Sequence, residues 1–210
     1  MSKNSVVIVQ QSLTKENKSV SQLLQVRKKI LGIDFLLDAS SSMRATLANG
    51  ETAYTAAVRT LGTFDIDKVW VFGESIKELP VSSAVNYFPE GSTPMFNAVK
   101  RAFEQNGKSE MFIISDGEPT DESPDLWSLD PNSGLAVIDV EKSWILNFCK
   151  TNNIKLHGIF IGSRPEANGA KFMEMLCIGT GGNYSFTNRG KIEFLGEDFA
   201  KLLGDGKLIK

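Results

Sequence analysis

Ile33-Asp34-Phe35-Leu36-Leu37-Asp38-Ala39-Ser40-Ser41-Ser42-Met43 decides how the rest of this chain is read. An apolar run ends in an aspartate, and hydroxyls follow at alternate positions. Asp38, Ser40 and Ser42 thus form D-x-S-x-S. The pattern predicts a buried strand from Ile30 to Asp38 whose C-terminal end opens into a loop of hard oxygen donors. A carboxylate with two spaced hydroxyls suits a small, hard divalent cation and not a thiolate-loving metal. Serine-rich turns follow many strands, so the motif needs support. Gly91-Ser92-Thr93-Pro94-Met95 supplies a threonine in a loop before a helical stretch. Phe112-Ile113-Ile114-Ser115-Asp116-Gly117 is a second apolar strand that ends in an aspartate.

Working outward, apolar strands alternate with amphipathic helices. Strands are predicted over Lys68 to Gly73, Glu110 to Ser115, Lys155 to Gly162 and Tyr184 to Thr187. Helices are predicted over Thr52 to Phe64, from Pro94 to about Gln105, and over Leu135 to Lys150, Ala167 to Ile178 and Glu193 to Leu203. Pro94 stands where proline is favoured at a helix start, and Asn106-Gly107 reads as a stop. Ile76 to Pro89 reads as irregular or short edge structure, and Gly117 to Ser133 as a long acidic loop. Near the N-terminus, Val6 to Gln10 is a possible strand. Ser19 to Lys29 is a short helix with a basic end, Arg27-Lys28-Lys29. The alternation predicts an α/β, doubly wound, mostly parallel sheet with helices on both faces. Ligands of such sheets bind beyond the C-terminal strand ends, where strand order reverses. Both Asp38 and Asp116 fall at such ends.

Composition narrows the function classes. The chain has 210 residues, 41% hydrophobic and 23% charged, with a formal net charge of −2. Those values suit one globular domain, with no linker or repeat to divide it. The balanced charge disfavours nucleic-acid or membrane-surface binding, which needs a basic face. No apolar stretch approaches the roughly 20 residues that span a bilayer. The N-terminal apolar run is too short for a secretory signal, so a cytoplasmic protein is expected. Cys149 and Cys177 lack metal-site spacing and read as reduced, buried thiols. His157 is the one histidine and sits mid-strand, where it reads as a packed core residue. That leaves little room for Ser-His-Asp or zinc-hydrolase chemistry, so no catalytic residue is assigned. Gly107-Lys108-Ser109 precedes a strand and lacks the earlier glycine of a phosphate loop. Gly179-Thr180-Gly181-Gly182 follows a helix and reads as a turn.

Taken in order, the three oxygen-bearing segments resemble the von Willebrand factor A (vWA) domain family and its metal-ion-dependent adhesion site. The resemblance runs from about Lys29 to Leu203 and implies a domain over 29–210 behind an N-terminal extension, 1–28. It implies the vWA fold, with the two aspartate-bearing strands side by side. It further implies a metal site built of Asp38, Ser40, Ser42, Thr93 and Asp116, with Mg²⁺ as the cofactor (Mn²⁺ or Ca²⁺ as substitutes). The hydroxyls would coordinate directly, and the aspartates often act through water. The segment Asp116-Gly117-Glu118-Pro119-Thr120-Asp121 resembles the intracellular bacterial branch associated with tellurium resistance. Ser41 departs from it, since glycine is frequent there. The family's function would be Mg²⁺-dependent protein–protein interaction, here in a prokaryotic cell or phage, through an exposed Asp or Glu of the partner. Two alternatives from other classes stand beside it. One is a structural subunit of an assembly, with Val6 to Val9 adding to a neighbouring sheet. The other is a metal-assisted hydrolase.

Overall fold

The structure, a computed structural model, describes residues 28–30, 32–129, 136–203 and 208–209. Its strands are β1 (Lys28–Ile30), β2 (Asp34–Asp38), β3 (Phe64–Asp65), β4 (Lys68–Phe72), β5 (Ile76–Pro80), β6 (Glu110–Ser115), β7 (Trp127–Leu129), β8 (Ala136–Ile138), β9 (Lys155–Gly162), β10 (Tyr184–Asn188) and β11 (Leu208–Ile209). Its helices are α1 (Ala53–Leu61), α2 (Val81–Ala84), α3 (Met95–Asn106), α4 (Trp144–Thr151), α5 (Asn168–Gly179) and α6 (Leu195–Leu203). Six strands form the central sheet in the order β10-β9-β6-β2-β4-β5, all parallel except β5. This is the expected α/β, Rossmann-like arrangement. Among the described residues, no helix is long and apolar enough to cross a membrane.

The side-chain period of two along the strands explains why both faces are covered. Phe35 and Leu37 of β2 point into one core with α1 and α6, while Leu36 points into the other with α3, α4 and α5. The second core also buries Met111 and Ile113 of β6 and both cysteines, which are free thiols. From β2 the chain crosses to β4 on one side and later to β6 on the other. Strand order therefore reverses at β2, and a crevice opens where Asp38 and Asp116 sit.

Several local expectations are corrected. The strand expected from Ile30 to Asp38 is two strands, broken at Gly32, whose φ of 79° an extended strand cannot hold. The short β1 pairs instead with β3 and β11 in a separate sheet, so Lys28 and Lys29 are strand and not a basic helix end. The remaining readings of the N-terminal region lie outside the described residues. The helix expected from Leu135 to Lys150 is also wrong in its first half. Ala136–Ile138 is strand β8, paired with β7, and the helix starts only at Trp144. Ser143 is the reason: its side chain accepts the Leu146 N–H at 3.1 Å and caps a new helix, which an unbroken helix would forbid. The β-branched pair Val137-Ile138 upstream suits a strand better. The short edge structure expected within Ile76 to Pro89 is found: Ile76–Pro80 is an edge strand, antiparallel to β4, with Pro80 at its end.

Candidate metal centre

The end of β2 begins the site. Asp38 is fully buried, 0% exposed, and holds its loop from within. Its Oδ1 accepts the Ser40 backbone N–H at 2.8 Å, and its Oδ2 accepts the Ser115 hydroxyl at 2.5 Å. The Ser42 hydroxyl donates to Asp116 Oδ1 at 2.6 Å across 74 residues of sequence. Since that proton is committed, the 2.9 Å contact between Ser40 Oγ and Ser42 Oγ has Ser40 as donor. A chain of polarity thus runs from Ser40 through Ser42 to Asp116.

Thr93 arrives on a separate loop that must cross the end of β2. The loop is pinned there by Glu90 N–H to Ala39 O at 2.8 Å and Ser41 N–H to Gly91 O at 3.2 Å. The crossing is close enough to need glycine: a Cβ on Gly73 would lie 2.4 Å from Ala39 O and 2.6 Å from Glu90 O. Thr93 is then locked to the β6 loop, its N–H on Thr120 Oγ1 at 3.2 Å and its C=O accepting the Thr120 N–H at 3.0 Å. Gly117 shows how tightly the donors converge. A Cβ there would fall 3.0 Å from Thr93 Oγ1, 3.5 Å from Ser42 Oγ and 3.6 Å from Asp38 Oδ2. One point on the third segment therefore sees oxygens from both of the other two. All five expected residues, Asp38, Ser40, Ser42, Thr93 and Asp116, are gathered here.

The electrostatics are unusual for a protein interior. Burial pushes the Asp38 carboxyl up to about 7, only partly offset by the Ser115 and Ser40 hydrogen bonds, and the Asp116 charge adds to the rise. No cationic side chain touches Asp38 among the described residues. Burial raises Asp116 too, against the lowering effects of Ser42 and Arg189. A buried carboxylate without a cation is expensive, and such a group either takes up a proton or finds a positive partner. The donor set fits a divalent cation. Octahedral Mg²⁺ with bonds of about 2.0–2.1 Å places adjacent ligands about 2.9 Å apart. The Ser40–Ser42 separation of 2.9 Å matches that edge, although it is an ordinary hydroxyl contact as well. Ca²⁺, with bonds of about 2.3–2.6 Å, would need a wider spacing. Among the described residues, no group of three or more His, Cys, Asp and Glu could hold a metal. Any metal held here would therefore rest largely on hydroxyls.

Two residues outside the expected five also belong to the site. Ser115 fixes Asp38 from the neighbouring strand. Arg189, one residue past the end of β10, places Nη2 2.5 Å from Asp116 Oδ2, with the side chain 31% exposed. To do so it spans the end of β9, which lies between β10 and β6. The signal was present, since a charged residue directly after any parallel strand is a candidate for the crevice. The acidic loop after Asp116 is also not simply a solvated rim. Asp121 accepts the Phe96 and Asn97 N–H groups at 3.0 and 2.8 Å, capping the start of α3. Glu122 does the same for α4 through Trp144 and Ile145, at 2.9 and 2.8 Å. Among the described acidic residues of this loop, Glu118 lines the open pocket beside the site. His157 is buried far from it and accepts the Asn183 N–H on Nδ1, so its Nε2 carries the proton it gives to Glu110 Oε1 at 3.0 Å.

No family model and no curated protein matches this sequence. Among solved structures, the chain is similar to the SpRpn10 VWA domain, with a TM-score of 0.56 at 13% identity. The match covers 82% of this chain and 95% of that one. The likeness shows that this chain has the vWA fold.

Proposed function

We propose that this chain is a Mg²⁺-dependent protein–protein interaction module that works inside a prokaryotic cell or phage and grips an acidic side chain of its partner. The observation that supports this reading is the convergence of Asp38, Ser42 and Thr93 oxygens around one point above Gly117. Ser40, Ser42 and Thr93 offer neutral oxygens, while Asp38 and Asp116 supply charge from beside them. A bound divalent ion would supply an electrophilic position for one carboxylate oxygen, because neutral ligands cancel little of its charge. The backbone pins at Ala39, Ser41 and Thr93 hold the hydroxyls in place beforehand, so little ordering cost falls on the binding step.

A catalytic role is not part of this proposal. His157 is engaged with Glu110 and Asn183 and does not line the pocket, so among the described residues no histidine base faces it. The test is a calorimetric titration with Mg²⁺ and Mn²⁺, followed by capture of host proteins in Mg²⁺ or chelator. Millimolar or tighter metal binding and chelator-sensitive capture are expected. Absence of metal uptake, or equal capture in chelator, would overturn the reading. Turnover of a phosphate, ester or peptide substrate that vanishes in Asp116→Ala would promote the hydrolase alternative.

A further inference from the structure

Beside the hydroxyl cluster lies an open pocket of about 510 Å³. It runs from Ser42, Thr93 and Asp116 past Arg189 to Arg164 and the first turn of α5. One carboxylate on a metal would occupy a small part of it, since pockets of about 300–1,000 Å³ hold whole ligands. Its charges are specific. Arg189 reaches Asp116 with Nη2, and its buried Nε has no partner. Arg164 is exposed on the loop after β9 and makes no side-chain hydrogen bond or ion pair among the described residues. The floor between them is Phe160 with Gly162 and Gly169, where a Cβ on either glycine would strike the Phe160 ring at 2.9 Å.

The two arginines offset Asp116 and Glu118, so a bound divalent ion, even against the Asp38 charge, would make the pocket positive. Arg189 has two opposed effects in this balance. It competes for Asp116 Oδ2, which weakens the hold on a cation, and it adds positive charge to whatever the pocket receives.

We propose that Arg189 and Arg164 form a second acid-binding subsite beside the metal position, so that the partner is an acidic peptide segment with two neighbouring carboxylates, one for each subsite. The inference rests on the reading of the metal centre given above. Arginine suits the second subsite because its planar fork pairs with carboxylates in a bidentate way, and the apolar floor takes the stem of the side chain. Phosphate would also satisfy a guanidinium pair, but the subsite continues directly from the proposed carboxylate position of a protein partner.

The experiment measures two affinities at fixed ionic strength. The first is Mg²⁺ or Mn²⁺ alone. The second is a set of end-blocked Gly/Ser peptides carrying one Asp, or two Asp separated by one to three residues, in saturating Mg²⁺. For wild type, the best two-Asp peptide should bind at least tenfold tighter than the one-Asp peptide. Arg189→Ala should bind metal several-fold tighter and yet lose the two-Asp advantage, an opposite-sign pair that a merely structural role would not produce. Arg164→Glu, at an exposed position, should also remove the advantage and, by taking positive charge out of the pocket, should not weaken metal binding. Arg189→Lys should fall between wild type and Arg189→Ala. A two-Asp advantage that survives Arg164→Glu, or Arg189→Ala binding metal no tighter than wild type, overturns the inference. Inorganic phosphate competing as well as the two-Asp peptide overturns it in favour of a phosphate site. If wild type takes up metal but treats one-Asp and two-Asp peptides alike, only this inference falls. If it takes up no metal, the metal-centre reading falls with it.

Discussion

Strand β2 carries a buried aspartate at each end, and the fold surrounds the two very differently. Asp34 is 4% exposed and Asp38 0%. Asp34 receives Lys108 Nζ at 2.7 Å and Asn106 Nδ2 at 3.1 Å, both from the turn that ends α3. Asn106 reaches on to Glu78, which holds Lys68, so this end of the sheet carries a paired polar network, although Asp34 Oδ2 has no hydrogen-bond partner among the described residues. Asp38 receives only a backbone N–H and a hydroxyl. One carboxylate has been given its own cation and is a part of the framework. The other has been buried among neutral oxygen donors, an arrangement with open demand for positive charge. The difference teaches that burial of an acidic group is not itself the signal; the charge of what surrounds it is.

Exchanging the charge at each end should separate the roles most strongly. Asp38→Asn is expected to reduce Mg²⁺ affinity by two orders of magnitude or more, while Asp34→Asn leaves it unchanged; calorimetry on both variants decides. The asparagine is preferred to alanine because Asp38 lies inside the protein and not toward solvent as strand-end position alone implies. Alanine would leave the Ser40 N–H unpaired, at about 1–3 kcal/mol, and the Ser115 hydroxyl with only its longer contact to Gly117 O.

Next in size is a pH effect confined to one end. The Asp38 carboxyl stands at about 7 when folded, against 3.8 as its ordinary value. In that window the folded chain holds a proton that the unfolded chain has released, so stability falls as pH rises through it. In chelator the fall from pH 4 to 8 should be on the order of 2–4 kcal/mol. In saturating Mg²⁺ most of it should vanish, because the ion takes the place of the proton. Urea midpoints at the two pH values, with and without Mg²⁺, supply the check, and equal slopes in both would contradict it. Glu122, also raised by burial, contributes equally to both arms and cancels.

Smaller still is the cost of removing the lysine from the other end. Lys108→Ala should destabilise by about 1–2 kcal/mol, between a buried and a surface pair, because its side chain is partly exposed. Metal affinity should not move. The least effect is expected from Lys68→Ala at the outer edge of the same network, where thermal unfolding should be indistinguishable from wild type. A large loss there would show that the network is held from its rim.

Much of this was legible in the chain itself. Continuous apolar runs at β2, β6 and β9 mean strands buried on both faces, since a half-exposed strand would alternate. D-x-S-x-S, Thr93 and Asp116 announce hard oxygen donors at strand ends, because ligand chemistry depends on residue type and local spacing. Gly107 and Pro94 mark the bounds of α3 for reasons of backbone geometry alone. Signals that compete locally were harder to read. The residues from Leu135 to Lys150 have helical spacing, and only the Ser143 cap and the pairing of β8 with β7 show where the helix truly begins.

Tertiary structure decided the rest. That Asp121 and Glu122 cap α3 and α4 is invisible in an acidic loop, because the partner N–H groups lie 24 and 22 residues away or more. Arg189 reaches Asp116 only because β10 adds beside β9 and sets its C-terminal end at the same edge of the sheet. Sequence determined which oxygens are available, since that is a property of residues. Sheet order determined which charges meet them, since Coulomb interaction depends on distance in space and not along the chain.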